Sequence, residues 1–241
     1  MSEKILLNIL VSLIAAAISI YLVKKLEYKP LQFREQRLKF FFGMFWLSVG
    51  LIYGMVAMTE ILSLFERFFS ASILAFTAIS TAIIPVLALS SFLSIAVFGR
   101  TKKTYAFPAI MLGLSISYIY FLFAEGISGP EMSEFTTRWF VAGSNALILV
   151  QALGYISFAM CLMLFFIAFR TKQKLVVFKL LATASSISFF FLAGYLDLLG
   201  AKGIEVFIIR GAIALGAIIG YYAFFPTKWM ENLVKRISAY Q

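Results

Sequence analysis

Apolar residues run along the chain in long blocks separated by short polar ones. The blocks cover about 5–22, 40–62, 69–98, 106–123, 140–169, 180–199 and 204–225. Each is near or above the roughly 20 residues an α-helix needs to cross a hydrocarbon core. The pattern predicts an all-α, polytopic membrane protein: seven spans in one bundle, a single domain over residues 1–241. Span 1 follows only MSEK, with no basic leader and no small-residue cleavage site. It is therefore expected to be a retained span.

The polar blocks alternate in charge. Lys24, Lys25, Lys29, Arg34, Arg37 and Lys39 follow span 1; Arg100, Lys102 and Lys103 follow span 3. Arg170, Lys172, Lys174 and Lys179 follow span 5, and Lys228, Lys235 and Arg236 follow span 7. The opposite side holds most of the acids, with Lys4, Arg67, Arg138 and Lys202. Basic loops stay cytoplasmic, so the N-terminus is expected outside and the C-terminus inside, in the cell membrane. The net charge of +10 does not point to nucleic acid, because the cations sit between apolar blocks.

Two cytoplasmic segments mix apolar side chains with cations: 24–39 and the tail 226–241, where Trp229, Leu233 and Ile237 recur every four residues. This is the pattern of amphipathic helices on an anionic leaflet. The alternative use of these basic segments is to dock a cytoplasmic protein partner.

Inward faces of membrane helices are marked by small and polar residues. Span 1 aligns Asn8, Ser12, Ala15 and Ser19; span 2 aligns Gly50, Tyr53 and Glu60. Span 3 carries Ser70, Thr77, Ser80, Ser91 and Ser94, with Pro85 placed to kink it. Span 5 puts Ser144 and Gln151 seven apart, beside Gly154 and Tyr155. Span 6 runs Thr183, Ser186, Phe190, Gly194, Asp197, with Tyr195 adjacent; span 7 runs Arg210, Ala214, Ala217, Tyr221. Such stripes serve as helix–helix glue, and hydroxyls also bond back to their own helix. GAIIG in span 7 permits close packing and leaves oligomerisation open.

Arg210 is the exceptional position. It lies five residues past Glu205, roughly 7–8 Å below the outer end of its helix at 1.5 Å per residue. A guanidinium at that depth snorkels outward, pairs with an acid, or binds a ligand. Asp197, the only aspartate, is the preferred partner because a short loop joins spans 6 and 7; Glu60 is the second choice.

Missing residues exclude most chemistry. There is no histidine, hence no His-ligated haem, zinc or copper and no Ser–His catalysis. Cys161 is the only cysteine and reads as a small buried apolar residue. One aspartate cannot make an aspartyl dyad, and no phosphate-binding glycine loop is present. No enzyme activity and no cofactor are expected.

Seven spans with the N-terminus outside resemble the rhodopsins and other seven-helix receptors in architecture, across the whole chain but without a shared motif. Span 7 has no lysine to form a retinal Schiff base. The parallel-repeat sugar transporters share the span count, but they resemble a family with prolines in four core helices, and spans 1, 2, 5 and 6 here have none.

Two readings remain. One is a receptor, sensor or membrane subunit with an outward-facing polar pocket built from Arg210, Asp197, Glu60, Tyr53, Gln151 and Tyr195. The other is a small-solute or ion transporter or channel using the hydroxyl stripes. A polar tract reaching Ser91 and Ser94 would favour transport; a pocket closed below Tyr53 and Gln151 would favour the receptor.

Overall fold

The computed structural model describes residues 3–26, 33–99, 101–198, 203–225, 227 and 230; within these, the side chains of 33–35, Tyr195 and Leu198 lie outside the description. The helices are α1 (Glu3–Lys25), α2 (Phe33–Leu64), α3 (Phe68–Thr81), α4 (Ile83–Phe98) and α5 (Lys103–Glu125), then α6 (Ser144–Arg170), α7 (Lys174–Leu198) and α8 (Glu205–Phe224). Strands β1 (Ile127–Met132) and β2 (Thr137–Val141) lie between α5 and α6. Among the described residues seven segments are long and apolar enough to span a membrane, with α3 and α4 forming one of them. The chain is an integral, multi-pass, helical membrane protein. The tail beyond Phe225, apart from Thr227 and Met230, and the core of the 24–39 segment lie outside the described residues.

Helix ends follow local chemistry. Glu3 opens α1 and Lys24 and Lys25 close it, matching the helix dipole. Gly99 and Gly126 stop α4 and α5 at φ +63° and +76°, where a side chain would be strained. The third span breaks at Ala82. Pro85 has no N–H for the Thr81 carbonyl and crowds it, and the Ala82 N–H turns tightly onto the Ile79 carbonyl at 3.3 Å. The kink expected of Pro85 is therefore a one-residue interruption at Ala82, whose backbone stays in the right-handed helical region at φ −58° and ψ −18°.

The helices close a ring in the order α1, α2, α3 with α4, α5, α6, α7, α8, with α8 returning to α1. Small residues set the closest approaches. A Cβ at Gly50 would lie 3.0–3.3 Å from Ile20, Ala16 and Ser19 on α1. On α8, Gly216 and Gly220 meet α7, where the Ser186 hydroxyl donates to the Gly216 carbonyl at 2.7 Å.

Two expected boundaries shift. The fifth span begins at Ser144, because Phe140 and Val141 belong to β2. The sixth begins at Lys174, so its basic residues lie on the first turns of α7.

The stripes on α1, α2, α7 and α8 are buried as read: Asn8, Ser12, Ser19, Glu60 and Ser186 are fully enclosed. The stripe on span 3 is buried only in part: Ser94 is buried, and Ser80 and Ser91 are half-buried. Ser70 and Thr77 are exposed, and α3 buries Ala71, Ala75 and Ala78 instead. The Thr77 hydroxyl is satisfied by its own helix, donating to the Ile73 carbonyl at 2.8 Å. Alanines let the backbones approach more closely than hydroxyl side chains would. Ser144 is also exposed, at the start of α6.

The β-hairpin was not expected from the hydrophobic pattern. It is antiparallel, with Ile127 opposite Val141 and Glu131 opposite Arg138. At Gly129, φ is +138° and a Cβ would lie 2.7 Å from the Arg138 carbonyl, so the strands meet only because this residue is glycine. The Glu125 carboxylate accepts from the Ala146 N–H at 3.0 Å and from the Asn145 side chain at 2.7 Å, capping α6 from the end of α5. The two spans flanking the hairpin are thereby tied together.

Candidate functional site

At the hairpin end, four elements converge on one buried ion pair. Glu60 of α2 accepts from Arg210 of α8 through both carboxylate oxygens, at 3.0 and 3.2 Å. Asn8 and Ser12 of α1 flank them: the Asn8 amide donates to Glu60 at 3.0 Å, and Arg210 donates to the Ser12 hydroxyl at 2.6 Å. The hairpin supplies Thr136, whose hydroxyl donates to Glu60 at 2.6 Å. Glu60 has no exposure and Arg210 only 4%.

Arg210 therefore pairs with Glu60, not with the preferred Asp197. Depth explains the choice. Glu60 lies four residues before the end of α2 and Arg210 five past the start of α8, so both sit about 6–8 Å below their helix ends at 1.5 Å per residue. Asp197 is one residue from the end of α7, about 6 Å shallower than Arg210 by the same rise. Asn8 and Thr136 also raise Glu60 to full saturation, which a carboxylate removed from water requires.

The loop between the strands closes over this pair. The Phe135 carbonyl accepts from Asn8 at 2.9 Å, and its ring meets Phe207 edge-on at 5.7 Å. Lys4 donates to Glu134 at 2.5 Å and lies over the Phe135 ring. That contact holds the exposed Glu134 carboxyl below the usual carboxylate range. Arg138 of β2 donates to the main-chain carbonyl of Asp197, capping the last turn of α7.

Beneath the hairpin lies a cavity of about 440 Å³ between α2, α3, α4, α6, α7 and β2. Most of its wall is apolar, including Ala75, Ala78, Ile83, Val86 and Phe158. Tyr53, Gln151, Asp197 and Arg210 line it, while Glu60 does not. The backbone of Tyr195 lies in α7 and its side chain is outside the described residues. Among the described residues, the Tyr53 hydroxyl, the Gln151 amide and the Asp197 carboxylate have no hydrogen-bond or ion-pair partner. Gly154 and Gly194 face open space: a Cβ on either meets nothing within 4 Å.

On α4 the cavity stops at Val86, and Ser91 and Ser94 do not line it. Its floor is aromatic. Phe190 and Phe191 pack on Phe45 with ring centres 5.3 and 6.3 Å apart, and Phe45 packs on Trp46 at 5.2 Å. Phe42 continues the layer to Phe92 and Phe224 at 6.1 and 4.5 Å.

Sequence reasoning put Glu60, Arg210, Tyr53, Gln151 and Asp197 in one pocket; Tyr53, Gln151, Asp197 and Arg210 do line the cavity, while Glu60 lies outside its lining, on Arg210. It missed Thr136, Arg138 and Trp139, which lie in the unforeseen hairpin. No protein-family model, curated protein or solved structure matches the chain.

Proposed function

We propose that the chain is a non-enzymatic, receptor- or sensor-like membrane protein that binds a small ligand in the cavity beneath the hairpin. The carrying observation is a cavity with unpaired polar groups near the hairpin and an aromatic floor across the bundle. Its volume is within the range of about 300–1,000 Å³ typical of small-molecule sites. The positive-inside pattern supports a hairpin end facing outward at the cell membrane and a basic face toward a cytoplasmic partner. This is the orientation of the seven-helix receptors. The mechanism needs no cofactor: ligand binding under β2 would shift the hairpin and the helix ends it holds.

The transporter reading keeps one supporting observation. Ala82, at the interruption between α3 and α4, lines the cavity, so a hinge at that point would move its wall. Flux in proteoliposomes with a panel of ions and small solutes separates the two. The receptor reading expects no saturable flux. Saturable flux that Gly154→Leu abolishes, by filling the cavity, would overturn it.

A further inference from the structure

The cavity is closed at both ends and open at one side. β2 roofs it: Thr136, Thr137 and Val141 line the space and are buried. Phe190 and Phe191, packed on Phe45, close it toward the other face of the bundle. Among the described residues that line it, the exposed ones are Phe140 on β2, Tyr155 on α6 and Leu192 on α7, at 38, 54 and 49%. The lining residues of α2, α3 and α4 are buried or half-buried. The opening therefore lies between α6 and α7, beneath the hairpin. The two helices are held together at their far ends by the short connection 171–173. Toward the hairpin, Gly154 and Gly194 put no side chain into the gap.

Depth decides what can enter. Leu192 lies six residues before the end of α7 and Tyr155 eleven past the start of α6, about 9 and 16 Å below those ends at 1.5 Å per residue. Both fall inside segments long and apolar enough to span a membrane. Their neighbours Ile148 and Leu162 on α6 and Leu196 on α7 are exposed apolar side chains. The rim thus meets hydrocarbon. An apolar cavity that opens onto lipid forfeits dispersion contacts while empty, and a hydrocarbon chain restores them.

The charges under the roof select the head group. Arg210 is neutralised by Glu60 through two hydrogen bonds. Arg138 donates to the main-chain carbonyl of Asp197, so a guanidinium and a carboxylate stand together at the end of α7 and their charges sum to zero. A cationic head would meet Arg138, and an anionic one Asp197. A charge drawn through an opening at this depth would also leave water without a partner. Tyr53 and Gln151 offer an uncharged head both donors and acceptors.

We infer that the cavity takes up a hydrocarbon-chain amphiphile with an uncharged polar head directly from the membrane, through the opening between α6 and α7. The inference rests on the ligand-pocket reading above and gives that ligand its class and its route.

The experiment uses hexadecanol carrying a mid-chain diazirine, with the full chain in lipid nanodiscs. Its fixed-charge analogues, with a trimethylammonium or a sulfonate head, are compared at equal membrane content. After illumination, the alcohol is expected on the inward-facing Ala75, Ala78 or Val86, saturably and in competition with plain hexadecanol. The charged analogues should label these positions about tenfold less or weaker still. The route is tested with Leu192→Cys in a Cys161→Ala background. A bulky methanethiosulfonate on that thiol should cut inward labelling about tenfold, and reduction of the adduct should restore it, which rules out misfolding as the cause. Labelling confined to lipid-facing side chains, equal inward labelling by a charged analogue, or indifference to the adduct each overturns the inference. Gly154→Cys in the same background then tests the pocket alone with a small water-soluble methanethiosulfonate. If the alcohol fails but this reagent labels the thiol, the pocket reading stands with a ligand that arrives from water; if neither labels, both readings fall.

Discussion

Glu60 and Arg210, on the second and last spans, share two hydrogen bonds inside the bundle at 3.0 and 3.2 Å. Removing one member of a buried pair strands the other charge, a loss of about 3–5 kcal/mol in general. Glu60→Gln and Arg210→Gln should each destabilise the fold by about 3 kcal/mol. The double variant should lose less than the sum by about 1 kcal/mol or more. Asp197→Asn combined with Arg210→Gln should be additive within about 0.5 kcal/mol. Unfolding in mixed micelles titrated with a denaturing detergent measures all of these. Coupling to Asp197 in place of Glu60 would refute the pairing.

The hairpin is latched by Thr136. Thr136→Val keeps the shape but removes the donor to Glu60, which should cost about 1–2 kcal/mol. Amide hydrogens of 127–141 should then exchange faster, while those of α4 and α5 stay protected. The Lys4–Glu134 contact is exposed, so Lys4→Ala should leave hairpin exchange nearly unchanged. Its pH response has a definite sign. The folded Glu134 carboxyl is held below its ordinary range, so the contact is present at neutral pH and is lost as pH falls through that lowered value. Slower hairpin exchange in Thr136→Val than in the parent would contradict the latch.

The spans and most buried faces were legible because a bilayer demands long apolar runs and groups their polar residues inward. Glu60, Tyr53, Ser12 and Arg210 were all placed on the correct face. The partner of Arg210 was not, because proximity in sequence made Asp197 attractive, while depth within the bundle decided for Glu60. The hairpin was hidden by composition. Trp139, Phe140 and Val141 read as the start of an apolar span, although the aromatic and β-branched run TRWFV beside Gly129 and Pro130 is also a strand signal. The cavity was beyond reach, since it arises from where Gly154 and Gly194 face across the ring and from the break at Ala82.

Glycines in this bundle should respond in opposite directions to the same methyl group. At Gly220 a Cβ would lie 2.5 Å from the Ser186 hydroxyl and 3.0 Å from the Phe42 ring. Gly220→Ala should cost about 1–3 kcal/mol as overpacking. Gly54→Ala meets nothing within 4 Å in the middle of α2 and should be neutral or stabilise by up to about 1 kcal/mol. Thermal unfolding of the two variants side by side gives the answer; equal destabilisation would mean that α7 and α8 are not in the close contact described.

The aromatic floor decides between a pocket and a path. Leu89 lies one turn below Val86 on α4 and is 1% exposed. In a Cys161→Ala background, Leu89→Cys should resist a membrane-impermeant thiol reagent applied from the hairpin side. Removing two rings that meet edge to face with Phe45→Ala and Phe190→Ala should expose it, raising the labelling rate by about tenfold or more, because each truncation leaves a void that a core cannot fully close. The double truncation will also lower stability, so labelling is compared well below its unfolding temperature. Rapid labelling of Leu89→Cys with both rings intact would show that the floor opens on its own. The helix break at Ala82 would then be read as the hinge of a transport cycle, and the cavity as one station on a route across the membrane.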